Sequence, residues 1–309
     1  MRTAAIISTL LLSMLAATGC GNPKISNINY KPDQILAKIE GEPNRGIKVA
    51  SVQEDEGQAR LASGSKNAEG NFFYGNYYAL VIGINDYKWI GKLKSAVNDA
   101  NSVASILREK YGYKVETLID CTRNQIIEAL SEYRKQLTNK DNLLIYYSGH
   151  GILDKEADEG YWLPVDAKRS SESNWISNTS LTSSIRAIQA KHVLIVSDSC
   201  YSGKIMRSAN VDIGVGDTLK RLSEKKARIV MTSGGLEPVL DSGGIDNHSV
   251  FSAAFIRALN DNAGMESGTE IFAKIRNSVI LNSDQTPEYA DIHKAGHDGG
   301  DFIFCILSK

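Results

Sequence analysis

Residues 193–203 read Val193-Leu-Ile-Val-Ser-Asp-Ser-Cys-Tyr-Ser-Gly203, an apolar run that ends in a cysteine and breaks at a glycine. A short apolar run bounded in this way is typical of a buried strand. Because strand side chains alternate between faces, Asp198 and Cys200 are expected on the same face. The stretch therefore predicts a buried strand that delivers a nucleophile beside an acidic neighbour.

A second stretch of the same form lies upstream and ends in a histidine. It reads Leu143-Leu-Ile-Tyr-Tyr-Ser-Gly-His-Gly151, and the same alternation predicts that Ser148 and His150 share a face. If both strands are parallel members of one sheet, their carboxyl ends open onto the crevice where open α/β sheets bind ligands. We therefore expect His150 to face Cys200.

From residue 77 onward, apolar strands alternate with amphipathic helices, which predicts an α/β fold with right-handed crossovers. Besides the cysteine strand, strands are predicted at residues 78–84, 114–119, 142–147, 228–232 and 301–306, the last closing the sheet. Helices are predicted at residues 95–111, 122–137, 181–190, 249–259 and 269–280. Ser95 is a candidate helix cap, and Thr122 with Gln125 forms a capping-box pattern.

The length and the net charge of the chain limit its domain organisation and its partners. The chain has 309 residues, 42% of them hydrophobic, which is enough for one domain of up to about 250 residues with additional segments. Its 35 basic and 36 acidic residues give a net charge of −1. That balance gives no electrostatic reason to expect binding to nucleic acid.

The first 20 residues have the pattern of an export signal. One arginine precedes an apolar segment that is short for a membrane helix, and the stretch ends at Cys20 in a pattern that resembles the lipobox of bacterial lipoproteins. We expect residues 1–19 to be a lipoprotein signal peptide, with Cys20 lipidated and the protein anchored in a bacterial cell envelope, facing the periplasm. The alternative is an ordinary secretory signal with an incidental cysteine.

The remaining segments divide by composition. Residues 20–75 are polar and lack periodicity, which predicts a flexible tether, so the main domain is expected at residues 76–309. Within that domain, the acidic residues 153–166 are expected to form a small hairpin beyond the sheet edge. The basic residues 203–226 predict an exposed linker.

The chemistry expected at the strand ends is acyl transfer. A free thiol has a pKa of about 8.5, so a histidine that favours the thiolate and later protonates the leaving amine would make Cys200 reactive. The backbone N–H groups of Gly151 and Cys200, at the turns after the two strands, are the expected oxyanion donors. Cys121 and Cys305 lack such partners and are interpreted as structural or free thiols, and the cysteines do not predict a disulfide framework.

Two motifs resemble those of a known family. Tyr146-Tyr-Ser-Gly-His-Gly151 and Ser197-Asp-Ser-Cys-Tyr-Ser-Gly203 resemble the catalytic motifs of the caspase-like cysteine peptidases, in the metacaspase and bacterial caspase-homologue (orthocaspase) branch. The interval of 50 residues from His150 to Cys200 is the one known for caspases. The resemblance covers roughly residues 77–305. It implies a caspase-haemoglobinase fold, with a mostly parallel sheet of about six strands flanked by helices on both faces.

The resemblance also implies the site residues. His150 and Cys200 would be the catalytic dyad, and Asp99, Ser148 and Asp198 match the acidic pocket that metacaspases use to bind a basic residue before the scissile bond. A carboxylate beside a nucleophilic thiol opposes thiolate formation, so binding a substrate cation gives it a purpose. The alternatives are that Asp99 favours the first turn of its helix and that Asp198 makes a local turn.

The sequence contains two candidate metal sites. Many metacaspases need calcium, and Asp154, Asp158, Glu159 and Asp166 offer oxygen ligands for it as an activator, although a solvated acidic hairpin explains them as well. His293-Lys-Ala-Gly-His297 has a spacing that zinc sites use, but its glycines favour a loop. No cofactor is expected to be required for the chemistry.

The function predicted from these features is a cysteine endopeptidase that cleaves protein or peptide substrates after Arg or Lys. The alternative is a catalytically silent caspase-like interaction or scaffold module of the cell envelope. The predicted contact with a membrane is through the lipid on Cys20 alone, and the basic segment 203–226 is a candidate site of self-processing.

Overall fold

The structure is a computed structural model that describes residues 65–66, 72–199, 206–207, 217–234 and 243–307. Its strands are β1 (Ser65–Lys66), β2 (Phe72–Phe73), β3 (Asn76–Gly83), β4 (Lys114–Ile119), β5 (Asp141–Ser148), β6 (Gly151–Asp154), β7 (Glu159–Trp162), β8 (Ile176–Ser177), β9 (His192–Asp198), β10 (Met206–Arg207), β11 (Ala227–Thr232), β12 (Met265–Ser267), β13 (Glu288–Ile292) and β14 (Ile303–Cys305). Its α-helices are α1 (Ala96–Glu109), α2 (Arg123–Gln136), α3 (Asn178–Ala187), α4 (Asp217–Glu224), α5 (Val250–Asp261) and α6 (Gly268–Asn282).

A seven-stranded sheet in the order β10-β13-β11-β9-β5-β3-β4 forms the centre of the described residues. The strands β11, β9, β5, β3 and β4 run parallel, whereas β13 and β10 are antiparallel to their neighbours. The predicted α/β class with a mostly parallel sheet is therefore confirmed. The sheet has one strand more than the approximate number expected, and the outermost strand β10 contributes two residues.

The apolar core divides between the two faces of this sheet. Strands buried on both faces need continuous apolar runs, which is why β5 and β9 are apolar over most of their length. We call the core on the face covered by α2 and α3 the first core; its strand residues include Leu143, Tyr147 and Ile195. The second core lies on the face covered by α1, α5 and α6, and its strand residues include Tyr146 and Val196.

The register between β5 and β9 sets the position of the site. The two strands pair in parallel, with Ser148 opposite Asp198. The next residue, Gly149, donates its N–H to the carbonyl oxygen of Asp198 at 3.4 Å. The carboxyl ends of the two motif strands therefore meet at one edge of the sheet, as the sequence predicted.

One strand assignment is wrong. Residues 301–306 were predicted to close the main sheet, but β14 pairs with β12 in a separate two-stranded sheet. The strand next to β11 is instead β13, which sequence reasoning missed. Its sequence, Glu288-Tyr-Ala-Asp-Ile292, mixes polar and apolar residues because it lies near the edge of the sheet, so it lacks the apolar run by which the central strands were recognised.

The segment predicted as an exposed linker is partly regular. Within its described residues, β10 pairs with β13 and residues 217–224 form α4. Leu219 and Leu222 lie three residues apart and are half-buried, while Arg221 is exposed. The many basic residues concealed this short amphipathic pattern.

Of the local predictions, the capping box and the hairpin are confirmed and the cap at Ser95 is wrong. Thr122 and Gln125 form the predicted capping box of α2. Ser95 precedes α1 but makes no capping hydrogen bond, because its own backbone is helical (φ −97°, ψ −27°). Residues 151–162 form the predicted hairpin from β6 and β7, with β8 added to it.

Several predictions lie outside the described residues, namely the signal peptide at residues 1–19, the lipidation site Cys20 and the nucleophile Cys200. Within the predicted tether, β1 and β2 form an antiparallel pair. Of the helices in the described ranges, none has the length and apolar character needed to cross a bilayer.

Arg228 is a buried cation near the start of β11. Its side chain is fully buried, and its guanidinium donates to the carbonyl oxygens of Lys191, Ala227, Ile188 and Ala190 at 2.7 to 3.2 Å. The carbonyls of Ile188, Ala190 and Lys191 lie in the connection from α3 to β9, so the Arg228 side chain ties that connection to β11.

We predict that Arg228→Met destabilises the protein by about 3 kcal/mol or more, because the buried carbonyls of Ile188 and Ala190 lose the guanidinium that donates to them. Urea unfolding in a Cys200→Ala background measures the effect. The control is Arg257→Met, since Arg257 is 74% exposed and lies 3.9 Å from Asp261; it should change stability by less than about 0.5 kcal/mol. Equal effects of the two substitutions would contradict this account of Arg228.

Candidate active site

His150 lies two residues beyond β5, and two buried tyrosines fix its backbone. Its N–H donates to Tyr87 Oη at 2.7 Å, and Tyr147 Oη donates to its carbonyl oxygen at 2.7 Å. A Cβ at Gly149 would lie 2.8 Å from both hydroxyl oxygens, so glycine allows the two phenols to converge there. The imidazole also packs on the Tyr87 ring, with centroids 4.7 Å apart.

The hydrogen bond of the imidazole determines its tautomer. His150 Nε2 lies 2.7 Å from the carbonyl oxygen of Gly91. A carbonyl can only accept, so Nε2 carries the proton and a neutral ring has its lone pair on Nδ1. Nδ1 is therefore the atom able to accept a proton from a nucleophile.

The alternation argument fails beyond Ser148. β5 ends at that residue, and the next two residues turn, so the strand no longer sets the direction of His150. Ser148 lies opposite Asp198, which contacts α5 on the side of the second core, whereas His150 packs on Tyr87 of the first core. The prediction that Ser148 and His150 share a face is therefore wrong.

Asp99 and Asp198 form a buried pair of carboxylates on the side of the second core. Asp99 is fully buried in the first turn of α1, and Asp198 is 2% exposed at the end of β9. Asp198 Oδ2 accepts hydrogen bonds from the hydroxyls of Ser249 and Ser252 at the start of α5, the second at 2.6 Å. Ser148, also buried, lies opposite Asp198, so the structure brings the three predicted pocket residues to the same end of the sheet.

The buried environment changes the pKa of Asp99. Burial, and then repulsion from Asp198, raises the pKa of Asp99 from 3.8 to about 8. Its position in the first turn of α1 favours negative charge, as the structural alternative proposed, but the net direction shows that burial outweighs this effect. At neutral pH Asp99 therefore holds a proton.

His248, which belongs to a stretch that resembles a family landmark but was given no role from the sequence, contacts Asp99. Its Nδ1 lies 2.6 Å from Asp99 Oδ1 and 3.2 Å from the Asn98 amide nitrogen. Burial lowers the pKa of His248, so a neutral imidazole accepts from the protonated Asp99. The residue lies just before α5, outside any periodic pattern, and its distance to Asp99 gives it a place that the motif alone did not specify.

The four proposed calcium ligands are not arranged as one metal site, although Asp154 and Glu159 are cross-strand partners in the hairpin of β6 and β7. Asp154 Oδ1 accepts the N–H groups of Glu156 and Ala157 in its own turn, and Glu159 accepts from Thr179 of α3. Asp166 Oδ1 accepts the N–H of Arg123 at the start of α2. Across the described ranges, no group of three or more His, Cys, Asp or Glu side chains is arranged to hold a metal ion. The predicted set, which includes Asp158, does not fit a calcium site.

The structure also places the two histidines of the possible zinc motif and the two other described cysteines. His293 and His297 flank a loop with positive φ at Lys294 and Gly296, and His297 Nδ1 accepts the N–H of Arg228. Cys121 and Cys305 are free, as predicted, and burial raises the pKa of their thiols to about 12 and about 11. Both thiols are therefore protonated and weakly nucleophilic at neutral pH.

The predicted oxyanion donors stay a prediction, because Cys200 lies outside the described residues. The other donor, Gly151, follows His150 directly and opens β6. Asp198, the described residue two positions before Cys200 in the sequence, lies opposite Ser148 at the edge of the sheet.

This geometry agrees with the family comparison. The model of the caspase domain, a peptidase family, matches residues 76–294. The chain belongs to the caspase-domain family. Among solved structures, it is similar to caspase-1 of Spodoptera frugiperda, with a TM-score of 0.53 and 12% identity over 71% of this chain and 88% of that one. A structure of a protein from Geobacter sulfurreducens gives a TM-score of 0.53 with 22% identity, covering 75% of this chain and all of that one.

Curated relatives are metacaspases. Metacaspase-7 of Arabidopsis thaliana is 31% identical over 164 residues, which are 48% of this chain and 40% of the relative. Metacaspase-1A of Aspergillus oryzae is 29% identical over 155 residues, covering 43% of this chain and 36% of the relative. The chain thus spans less than half the length of these relatives. The caspase-like fold expected from the two motifs is confirmed.

The raised pKa of Asp99 predicts a pH-dependent stability. A carboxyl whose pKa is higher in the folded state adds to the free energy of unfolding. This added stability is fully present below the unfolded pKa of 3.8 and is lost as the pH rises toward about 8. Asp99→Asn removes that loss, so the melting temperature of Asp99→Asn minus that of the parent should increase from pH 4 to pH 8, by several °C, and then level off.

Thermal unfolding in a Cys200→Ala background measures this difference. The control is Asp261→Asn, because Asp261 is 65% exposed and its substitution should give no such trend. A difference that stays constant between pH 4 and pH 8 would show that Asp99 is ionised throughout.

Proposed function

We propose that the protein is a cysteine endopeptidase in which His150 and Cys200 form the catalytic dyad, and that it cleaves after Arg or Lys. The observation that carries the specificity is the buried pair Asp99 and Asp198, at the end of the strand that leads to Cys200. Burial and mutual repulsion of the two carboxyl groups raise the pKa of Asp99, a cost that a bound substrate cation would offset.

The proposed reaction uses the His150 tautomer described above. Nδ1 accepts the proton of the Cys200 thiol, and the thiolate attacks the scissile carbonyl carbon. The tetrahedral oxyanion is stabilised by the N–H groups of Gly151 and Cys200. It collapses when the C–N bond breaks and Nδ1–H protonates the leaving amine, which gives an acyl-enzyme. Nδ1 then deprotonates a water that attacks the thioester; when the C–S bond breaks, Nδ1–H returns the proton to the Cys200 sulfur and the acid product is released.

The hydrogen bond from Nε2 to Gly91 supports this sequence of proton transfers. It leaves Nδ1 as the basic nitrogen of the neutral ring, and it gains strength when the ring becomes an imidazolium, because a charged donor binds a carbonyl more tightly. The two tyrosines bind backbone atoms of His150, so these contacts do not use the ring nitrogens that change protonation.

In the pocket, the substrate cation replaces the proton on Asp99. A guanidinium or ammonium between the two carboxylates offsets their repulsion, so binding favours the ionised form of Asp99. A neutral side chain of the same shape gives no such gain. An Asp-ending substrate brings a negative charge beside the Asp198 carboxylate and supplies no cation to ionise Asp99, so it is excluded.

The same proposal covers location. We propose that the protein is exported and attached to the bacterial cell envelope through a lipid on Cys20, with the peptidase domain toward the periplasm. The support is the sequence of residues 1–20. Its partners are then protein or peptide substrates with a basic residue before the cleaved bond.

Peptides that differ only before the scissile bond test the specificity. With Arg, Lys, citrulline and Asp in turn, Arg and Lys should be cleaved at least about 100-fold faster in kcat/KM than citrulline, which has the shape of Arg without its charge. The Arg-to-citrulline ratio should rise with pH through about 8, since Asp99 ionises there. In Asp99→Asn this rise should disappear.

The control is Cys200→Ala, which should abolish turnover of every peptide. Turnover of the Asp peptide alone would refute the pocket assignment. If the wild-type protein turns over none of the peptides, the rival function, a non-enzymatic caspase-like scaffold, is favoured.

Self-processing is tested separately in the basic segment 203–226. The wild-type protein is expected to cut itself there, and Cys200→Ala purified alone is expected to stay intact. Intact-mass spectrometry distinguishes the two. Cleavage of the Cys200→Ala protein at the same position would exclude self-processing.

A further inference from the structure

A cavity adjoins His150 on the side of the first core. Its volume is about 360 Å³, in the range of small ligand sites, and His150 forms part of its wall. Ile90, Ile152, Leu163 and Trp175 supply its apolar lining. Lys168 and Arg169 are exposed at its rim. None of the described residues that line it is acidic.

The cavity and the carboxylate pair lie on opposite faces of the sheet. Asp198 contacts α5 of the second core, whereas the apolar residues of the cavity belong to or pack against the first core. His150 protonates the leaving amine in the proposed mechanism, so the residues after the scissile bond must lie on the side of His150. A peptide whose basic side chain enters the Asp99 and Asp198 pocket therefore crosses the sheet edge and continues toward this cavity.

We propose that this cavity binds the side chain directly after the scissile bond, that it favours an apolar side chain there, and that Lys168 and Arg169 favour an acidic residue at the next position. The proposal rests on the proposed peptidase function and extends it to the leaving-group side of the substrate.

The apolar preference follows from the lining. Leu163 is 7% exposed, and Ile90, Ile152 and Trp175 are half-buried with faces open to the cavity. A leucine side chain that enters removes apolar surface from water on both partners, whereas glycine leaves the cavity unfilled. A preference of about tenfold in kcat/KM for leucine over glycine is expected.

The charge preference follows from the rim. The Lys168 ammonium lies 4.9 Å from the centroid of the Trp89 ring, and the Lys168 carbonyl accepts from Trp175 Nε1 at 3.0 Å. These contacts hold the cationic rim against the cavity wall. Because both cations are exposed, their effect should be a few-fold and should weaken at high salt.

The test uses the full chain and internally quenched peptides with Arg before the scissile bond. The first residue after the bond is Leu or Gly, and the second is Glu or Lys. An arginine methyl ester is the reference substrate, because its methanol leaving group has no side chain to occupy the cavity. The variants are Ile152→Ser and the double substitution Lys168→Glu with Arg169→Glu. The matched control is Ile280→Ser, since Ile280 is 43% exposed on α6.

The wild-type protein and Ile280→Ser should cleave the Leu peptide about tenfold faster than the Gly peptide, and Ile152→Ser should reduce this ratio to about twofold or less. At low salt, Glu at the second position should be preferred over Lys by a few-fold, and the double charge reversal should invert that preference. The charge comparison uses exposed residues, so it stands even if Ile152→Ser does not fold.

The outcomes separate this proposal from the peptidase proposal. If the wild-type protein hydrolyses the ester but cleaves the Leu and Gly peptides equally, the cavity is not a substrate site and the peptidase proposal is unaffected. A Leu preference that Ile152→Ser retains in full, or a charge preference that the reversal does not change, likewise overturns the assignment. If the ester is not hydrolysed, the peptidase proposal itself is refuted.

Discussion

The parallel pairing of β5 with β9 is the constraint on which the rest of the site depends. The register sets Ser148 opposite Asp198, and a backbone hydrogen bond ties Gly149 to Asp198. A slip of one residue would move every side chain of a strand to the opposite face, and both faces are packed with apolar residues, so the core enforces this register. The histidine turn and the end of the nucleophile strand are thereby fixed relative to each other.

The two faces of the sheet carry different chemistry at this edge. On one face, α1 and α5 bury two carboxylates and raise the pKa of Asp99. On the other, Tyr87 and Tyr147 hold the backbone of His150, and an apolar cavity adjoins the ring. In the proposed function, charge selection and proton transfer are separated by the thickness of the sheet. Stability is reduced on the carboxylate face because burial of like charges opposes folding.

The fold was largely predictable from the sequence because central parallel strands are buried on both faces and must be apolar throughout. This signal identified β3, β5, β9 and β11, and the capping box identified the start of α2. It could not identify β13, which lies near the sheet edge, and it gave β14 to the wrong sheet because an apolar run does not specify its pairing partner.

The site was predictable to the extent that it lies on strand ends. Ser148 and Asp198 follow from alternation, but His150 lies past the last strand residue, where two tyrosine hydroxyls set its position instead. His248 and the lining of the cavity are brought together from distant segments and have no periodic pattern. The acidic residues of the hairpin are the opposite case. Their composition suggested a calcium site, but their carboxylates accept hydrogen bonds in a turn and at the starts of helices.

The central claim, that Cys200 attacks a substrate bound through its basic side chain, is tested most directly by covalent labelling. The protein is incubated with thiol-reactive acyloxymethyl ketone peptides that end in Arg or in citrulline, and the modified residue is identified by mass spectrometry. The account predicts rapid modification of Cys200 alone by the Arg reagent and little by the citrulline reagent. Equal labelling by both reagents, or labelling at Cys121 or Cys305 in place of Cys200, would contradict it.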